Sequence, residues 1–394
     1  MKYRAYFKLQ ITLLSPLSIG NSFNEKSDKD IVLDSRGRPM IPGTSIAGVL
    51  RSLAKEQEKD TLFGCIDKDG KTQQDSQLIF YDAKLKKKSH TAIRDCVALD
   101  EYKTAKPGAK FDFQAVEPGA VFIGYAEAHS SGAKEALEKL LKNISCLGAK
   151  TTRGYGKIEV AYSCRTFDFS KQGEKDEWLE FDMFDSSYEN WEEVKPQAAQ
   201  IRLKLKQRGG LSIRQYRTEA STDKQRSADY IPMALQDGTP VLPGTSWAGM
   251  FRHHMESMLT EDELNCLFGY VNENSKKCKK SKIMFSESQI AKYTQKQLTR
   301  NMIDRFTNGT KEGALYTELT IYNGETALEI KLNGSICGKI KCALCATIMD
   351  LHNGYVAVGG LTAVGRGLFE IVELNGEKFD GKFDTLKKEV LGYF

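Results

Sequence analysis

The sequence predicts an α+β protein made of two tandem copies of one strand–helix–strand–strand–helix–strand module, and three observations predict it. The decapeptide PGTSIAGVLR at Pro42–Arg51 returns as PGTSWAGMFR at Pro243–Arg252. Further matches keep their order around both copies: Asp28, Gly37 and Pro39 recur as Asp229, Gly238 and Pro240, displaced by 201 positions. Leu62, Phe63 and Gly64 recur as Leu267, Phe268 and Gly269 at 205, and Gly148, Gly154 and Gly156 as Gly359, Gly365 and Gly367 at 211. Ordered matches at nearly constant spacing are the mark of an internal repeat. Finally, 394 residues suffice for two domains that each bury a core. The expected boundaries are 1–165 for the first domain, 166–198 for a linker and 199–394 for the second domain.

Each element follows from period and punctuation. Tyr3–Leu13 alternates as a strand, and the loop to Ile41 is rich in Ser, Asn, Asp, Gly and Pro. A helix follows, with Thr44 or Ser45 as its expected cap and Ile46, Val49, Leu50 and Leu53 on one apolar stripe that leaves Arg51 outside. A short strand is expected near Leu78–Tyr81, then an irregular polar insertion to about Lys110, a strand pair within Phe111–Glu127 and a helix over Lys134–Ile144. A glycine-rich loop leads into a last strand over Gly156–Tyr162. The second copy repeats this with strands near Ile201–Lys206, Ile283–Phe285, Leu315–Ile321, Thr326–Leu332 and Leu368–Val372, and helices over Ser246–Leu259 and Gly338–Leu351. The order is ferredoxin-like, as in RRM-like folds.

Charge is unevenly spread. The net +5 hides a run from Thr166 to Lys195 with ten acidic residues and three lysines, net −7, so the remainder carries +12. Between Arg202 and Arg226 eight Lys or Arg face only Glu219 and Asp223, a candidate polyanion-facing surface or a solvated Lys-rich strand. No stretch approaches the roughly 20 apolar residues of a membrane span, and the N-terminus lacks the pattern of a signal peptide. The nine cysteines are scattered and odd in number, which fits reduced thiols and an expected cytoplasmic location.

Two segments point to phosphate chemistry. In the PGTS segments the chain turns directly into a helix whose first N–H groups and dipole favour an anion. Thr44, Ser45, Thr245 and Ser246 add hydroxyls there, and Arg51 and Arg252 add guanidinium groups. The bland alternative is a helix cap and nothing more. The glycine-rich loops let a backbone approach a sugar-phosphate chain, with Lys150, Arg153 and Arg366 supplying charge, although glycines before a final strand serve equally as tight-turn residues. Neither loop carries a dinucleotide or P-loop fingerprint.

These motifs together resemble the RAMP superfamily, and within it the backbone subunits of type III CRISPR effector complexes. The resemblance covers roughly residues 1–162 and 199–375 and rests on the PGTS segments, the loops AKTTRGYGKIE and LTAVGRGLFE, and the stretches VALDEYKTAKPGAKFDF and NMIDRFTNGTKEGALYTE. It implies ferredoxin-like modules whose polar insertions, around Asp100 and Asp304, are thumbs on a guide RNA paired with its target. Lysines at Lys86–Lys88 and Lys276–Lys282 are further candidate backbone contacts.

The resemblance also implies cleavage of target RNA by a loop aspartate with Mg²⁺ or another divalent cation. Fourteen residues before Pro42 and before Pro243 stand Asp28 and Asp229, the implied catalytic and metal-holding residues. A single carboxylate suffices where Mg²⁺ keeps waters and takes phosphate oxygens. Asp30 and Asp34 share the first loop, so the acid is not unique there. The implied partners are guide RNA, complementary target RNA and other effector subunits. Two alternatives stay open: a non-catalytic RNA-binding scaffold, and a metal-independent guide-processing ribonuclease, for which no histidine lies in either aspartate loop. The CxxC within Cys337, Cys342 and Cys345 lacks a second pair at zinc spacing and reads as part of a buried helix.

Overall fold

A computed structural model describes residues 2–21, 25–66, 73–87, 89–100, 104–185, 190–194, 201–215, 228–272 and 277–392. The chain divides into two compact units, one comprising Met1–Thr151 and Tyr155–Ala198, the other Thr152–Gly154 and Ala199–Phe394.

Unit one runs β1 (Tyr3–Leu13), α1 (Gly43–Leu53), α2 (Glu56–Phe63), β2 (Leu78–Phe80), β3 (Ala83–Leu85), β4 (Thr91–Leu99), β5 (Ala105–Val116), β6 (Val121–Ala128), α3 (Ser131–Asn143), β7 (Ile158–Asp168), α4 (Glu174–Glu180) and β8 (Glu192–Val194). Its main sheet has the antiparallel order β8-β7-β1-β6-β3, with β2 also on β6. The central strand β1 buries Ala5, Phe7, Leu9, Ile11 and Leu13, against which α1 lays Ile46 and Leu50 and α3 lays Leu137 and Leu141. Apolar area removed from water at about 25 cal/mol per Å² is the main force holding such a layer together.

Unit two runs β9 (Ile201–Arg208), α5 (Gly244–Met255), α6 (Glu261–Phe268), β10 (Ile283–Phe285), β11 (Ser288–Ala291), β12 (Thr294–Arg300), β13 (Tyr316–Tyr322), β14 (Glu325–Leu332), α7 (Gly338–Asn353), β15 (Leu368–Leu374) and α8 (Phe383–Gly392). Its sheet is β11-β14-β9-β15 with β10 on β14, so the two copies share one strand order. On β9 the alternation is complete: Ile201, Leu203, Leu205 and Gln207 face in, and Arg202, Lys204, Lys206 and Arg208 face out. Trp247 on α5 is fully buried and donates its indole N–H to Ser288 Oγ at 3.1 Å, which satisfies its one polar atom.

Three expectations change. The first helix begins at Gly43 with Pro42 as its N-cap and no side-chain cap, so neither Thr44 nor Ser45 fills that role. Glycine is required at 43 because a Cβ there would stand 2.4 Å from the Phe80 carbonyl oxygen. The polar insertion expected to be irregular is a hairpin: β4 pairs along β5, and β5 does not pair with β6 as the Phe111–Glu127 pairing required. Most of β5 before Phe113 is exposed, which removes the apolar alternation that reveals a strand. The acidic segment expected as a linker carries the end of β7, helix α4 and strand β8, and packs on unit one. Trp178 Nε1 donates to Tyr6 Oη at 2.8 Å, and Phe181 sits against Tyr6 and Phe167. Among the described residues no helix is long and apolar enough to cross a membrane.

Candidate functional site

The loop ahead of α1 sorts its three aspartates by what they touch. Asp30 accepts from Ser27 Oγ at 2.6 Å, Glu25 N at 2.6 Å and Lys26 N at 2.9 Å, and these donors hold its pKa down at about 2. Asp34 accepts from the amides of Arg38 and Arg36 and from Arg38 Nε, each at 2.9 Å, which also lowers its pKa. Both are turn-building carboxylates. Asp28 instead reaches across to the hairpin: its amide donates to Asp112 Oδ1 at 2.7 Å, and its Oδ2 accepts from the Asp112 amide at 2.9 Å. It is exposed.

Unit two builds the same contact. Asp229 Oδ2 accepts from the Thr317 amide at 2.7 Å, and the Asp229 amide donates to the Thr317 carbonyl at 2.7 Å. Asp112 and Thr317 are 205 positions apart, the displacement that relates the flanking motifs. In each unit the aspartate is therefore pinned by one oxygen to the same place on the hairpin. Among the described residues the other oxygen, Oδ1, carries no hydrogen bond. Facing Asp112 across the hairpin is Asp95, and facing Thr317 is Thr299, whose hydroxyl lies 3.1 Å from that of Thr317. No three His, Cys, Asp or Glu side chains are gathered as a metal cage among the described residues. The donor set is oxygen only, the chemistry that suits a hard divalent cation retaining its waters.

The helix starts are less open to an anion than their sequence implies. Gly43 N donates to Asp82 Oδ1 at 2.8 Å, so an internal carboxylate occupies that end of the dipole. The amides of Ser45 and Ser246 each donate to the preceding proline carbonyl, Pro42 and Pro243, at 2.9 Å, and their side chains stay partly exposed. Arg51 donates to the Gly64 carbonyl at 2.8 Å and to Asp60 at 3.0 Å, and Arg252 pairs with Glu261 at 3.1 Å. In both copies the motif arginine ties the first helix to the second.

The basic residues of the glycine-rich loops divide. Lys150 has φ +56° and stands over the Phe113 ring at 3.3 Å and the Phe111 ring at 4.4 Å, with burial lowering its pKa. Arg153 closes a 3₁₀ turn and is half-buried, which likewise lowers its pKa. Arg366 lies deeper than its place between two glycines implies. It is 4% exposed and gives Nη1 to Thr320 Oγ1 at 3.1 Å and Nη2 to the buried Glu318 carboxylate, a strut within unit two. The glycines have steric reasons: a Cβ at Gly156 would lie 1.8 Å from Leu147 O, and one at Gly367 would lie 1.9 Å from Val358 O.

The outward cations of β9 are largely answered by neighbouring acids: Lys204 by Glu373 at 2.6 Å, Arg208 by Glu370 at 2.6 Å and Arg202 by Glu329 at 3.9 Å. Arg217, Lys224 and Arg226 lie outside the described residues, as do Lys88, Lys276 and the start of the second aspartate loop. Histidines serve elsewhere: His254 pairs with Asp350 at 2.8 Å, His253 with Glu256 at 3.1 Å, and His352 Nδ1 accepts from the Ile371 amide at 3.1 Å. Cys345 is buried, with its pKa pushed up to about 11, whereas Cys337 and Cys342 are exposed.

Comparison with known proteins adds an independent line. A family model described as the RAMP superfamily matches residues 10–159 and 224–370, about three quarters of the chain. The chain is also 30% identical over 208 residues to the CRISPR system Cms endoribonuclease Csm3 of Mycobacterium tuberculosis strain ATCC 25618 / H37Rv, an alignment covering 40% of this chain and 88% of that relative.

Proposed function

The chain belongs to the RAMP superfamily, and from that premise we propose that it is a guide-RNA-binding backbone subunit of a type III CRISPR effector that cuts guide-paired target RNA, once per unit. The observation that carries the reading is the matched seating of Asp28 and Asp229, each held by Oδ2 on the hairpin amide at the same repeat position. A relative named as a CRISPR endoribonuclease supports the reaction class.

In this reading Asp28 and Asp229 would hold the divalent cation, with Asp112 able to contribute oxygen in unit one. When bound, Mg²⁺ neutralises charge that develops on the phosphate. The backbone contacts to Asp112 and Thr317 keep the carboxylates from swinging away as an RNA strand enters. The cut itself is in-line attack by a ribose 2′-hydroxyl. The 2′-hydroxyl gives up its proton to solvent as the P–O2′ bond forms and the P–O5′ bond breaks, leaving a 2′,3′-cyclic phosphate while the departing 5′-oxygen takes up a proton to become a hydroxyl. We read the strand orders as ferredoxin-like and the hairpins β4–β5 and β12–β13 as thumbs; Phe306, 98% exposed beyond β12, is the most exposed large apolar side chain among the described residues and one available to wedge into nucleic acid. Loaded guide RNA and neighbouring subunits complete the groove.

One observation favours a scaffold reading for unit one: the mutual contact of Asp28 and Asp112 is also a self-contained structural clasp. The assembled ribonucleoprotein, given end-labelled complementary RNA, separates the readings. The expected outcome is two cuts with Mg²⁺ and none after chelation. Stable binding without cutting in Mg²⁺ supports the scaffold, and cutting that survives chelation contradicts the metal-dependent mechanism.

A further inference from the structure

A dense charged cluster in unit two plays no part in that scheme. Glu318 on β13 is 2% exposed, and three guanidinium groups converge on its carboxylate. Arg366 Nη2 bonds Oε1, Arg214 Nη2 lies 3.5 Å from Oε2, and Arg300 Nε lies 3.9 Å from Oε1. One carboxylate balances one guanidinium, and the buried Arg366 takes the tightest place. The excess of positive charge therefore falls on Arg214 and Arg300, whose side chains keep 29% and 40% of their exposure.

Both share the face of the hairpin on which Tyr230, the residue after Asp229, packs. The Arg214 guanidinium carbon lies 4.2 Å from the ring of Tyr230, and Arg214 Nε donates to Ser212 Oγ at 3.3 Å. Arg300 lies opposite Tyr316, whose ring meets that of Tyr230 at 6.1 Å, so it shares the face on which Arg214 stands over Tyr230. Stacking on Tyr230 holds Arg214 and the buried Glu318 draws both guanidiniums without using all of their donors, which leaves forked N–H groups for a singly charged oxyanion.

Unit one supplies its own control. By strand pairing, Gly20, which bridges Ile31, takes the place of Arg214, which pairs with Pro232. Cys96, opposite Phe111, takes the place of Arg300, opposite Tyr316. Phe113 and Tyr155 replace Glu318 and Arg366 at displacements of 205 and 211. The cationic pair belongs to unit two alone.

We propose that Arg214 and Arg300, set by the buried Glu318, bind a phosphodiester of the RNA strand beside Asp229 and position it there. The inference rests on reading Asp229 as the acid of the second cut. The two are positioning residues, since neither touches the reacting atoms.

The test uses the assembled complex, with complementary RNA carrying a neutral methylphosphonate at each phosphate flanking the second cut in turn. One such replacement is expected to slow the second cut by on the order of tenfold, the loss of a charge-assisted hydrogen bond, and to leave the first cut unchanged. Arg300→Gln and Arg214→Gln are expected to slow the second cut similarly, and in the doubly substituted protein the methylphosphonate adds nothing further, because contact and charge have already been lost. Arg300→Lys recovers part of the rate. Multiplying effects, or a second cut indifferent to both arginines in a protein that still melts normally, overturn the proposal. If the unmutated complex makes no second cut, the catalytic reading of Asp229 fails on its own. The same non-additivity, read then in target-RNA affinity, still supports or overturns the phosphodiester contact.

Discussion

At one shared position the two units have filled the same frame with opposite chemistry. Behind the aspartate of unit one lie an aromatic pair, Phe113 edge-on to Tyr155 at 5.3 Å, and a lysine over the ring. Behind the aspartate of unit two lie a buried ion pair, Glu318 with Arg366, and two further arginines. The hairpin residues that hold the aspartates differ as well: unit one sets acids there, Asp112 opposite Asp95, where unit two sets threonines, Thr317 opposite Thr299. The backbone contact to the aspartate survives both solutions, which separates what the fold needs from what each site has tuned.

Breaking the unlike supports gives the largest effects. Arg366→Ala strands Glu318 in the core and is expected to destabilise unit two by about 3–5 kcal/mol, read by urea unfolding. Installing the pair of unit one, Glu318→Phe with Arg366→Tyr, is expected to cost less than that single change, since an apolar pair leaves no charge unpaired. A double variant as unstable as Arg366→Ala would mean that the frames are not interchangeable. In unit one, Lys150→Met removes the cation over Phe113 and is expected to cost about 0.5–2 kcal/mol, with no change in the melting of unit two.

The motif arginines sharpen the likeness rather than the contrast. Arg51→Ala and Arg252→Ala each remove a partly exposed ion pair between consecutive helices, and less than about 1 kcal/mol of stability is expected to go with it. A loss of RNA affinity well beyond that figure would assign them to RNA as well. The smallest effect is local and pH-dependent. The pKa of Asp30 is about 2 when folded against roughly 4 for an unfolded aspartate. Its contribution is thus complete above about pH 4 and is lost as pH falls toward 2. Amide exchange in the 25–34 loop is expected to rise over that window, and Asp30→Asn to abolish the pH dependence. Unit two, with Ile231 at the equivalent position, shows no such window.

Much of the architecture was legible because it was written twice. The apolar alternation of β1 and β9 and the stripe on α1 are period signals that burial enforces. Only part of each hairpin was legible: a strand was expected over β13 and at the end of β5, but β12 is exposed along nearly its whole length, and a strand wet on both faces carries no alternation. The site was legible only in part. Counting back from the PGTS segments reaches Asp28 and Asp229, but no local pattern distinguishes Asp28 from Asp30 or Asp34. Their turn hydrogen bonds do. Arg366 misled for the opposite reason: a basic residue between two glycines suggests exposure, whereas its partner Glu318 lies 48 positions away and is visible only once β13 is placed. The repeat displacement held the one available hint, since Phe113 and Tyr155 stand where Glu318 and Arg366 do.

The central claim is that two homologous aspartates on one chain act at two separate phosphates. Mapping the products of the assembled complex with Asp28→Ala, Asp229→Ala and the double variant tests it most directly. The account predicts that each single variant loses a different one of the two cuts and keeps the other, and that the double variant binds target RNA but leaves it whole. Both cuts surviving in the double variant would contradict it.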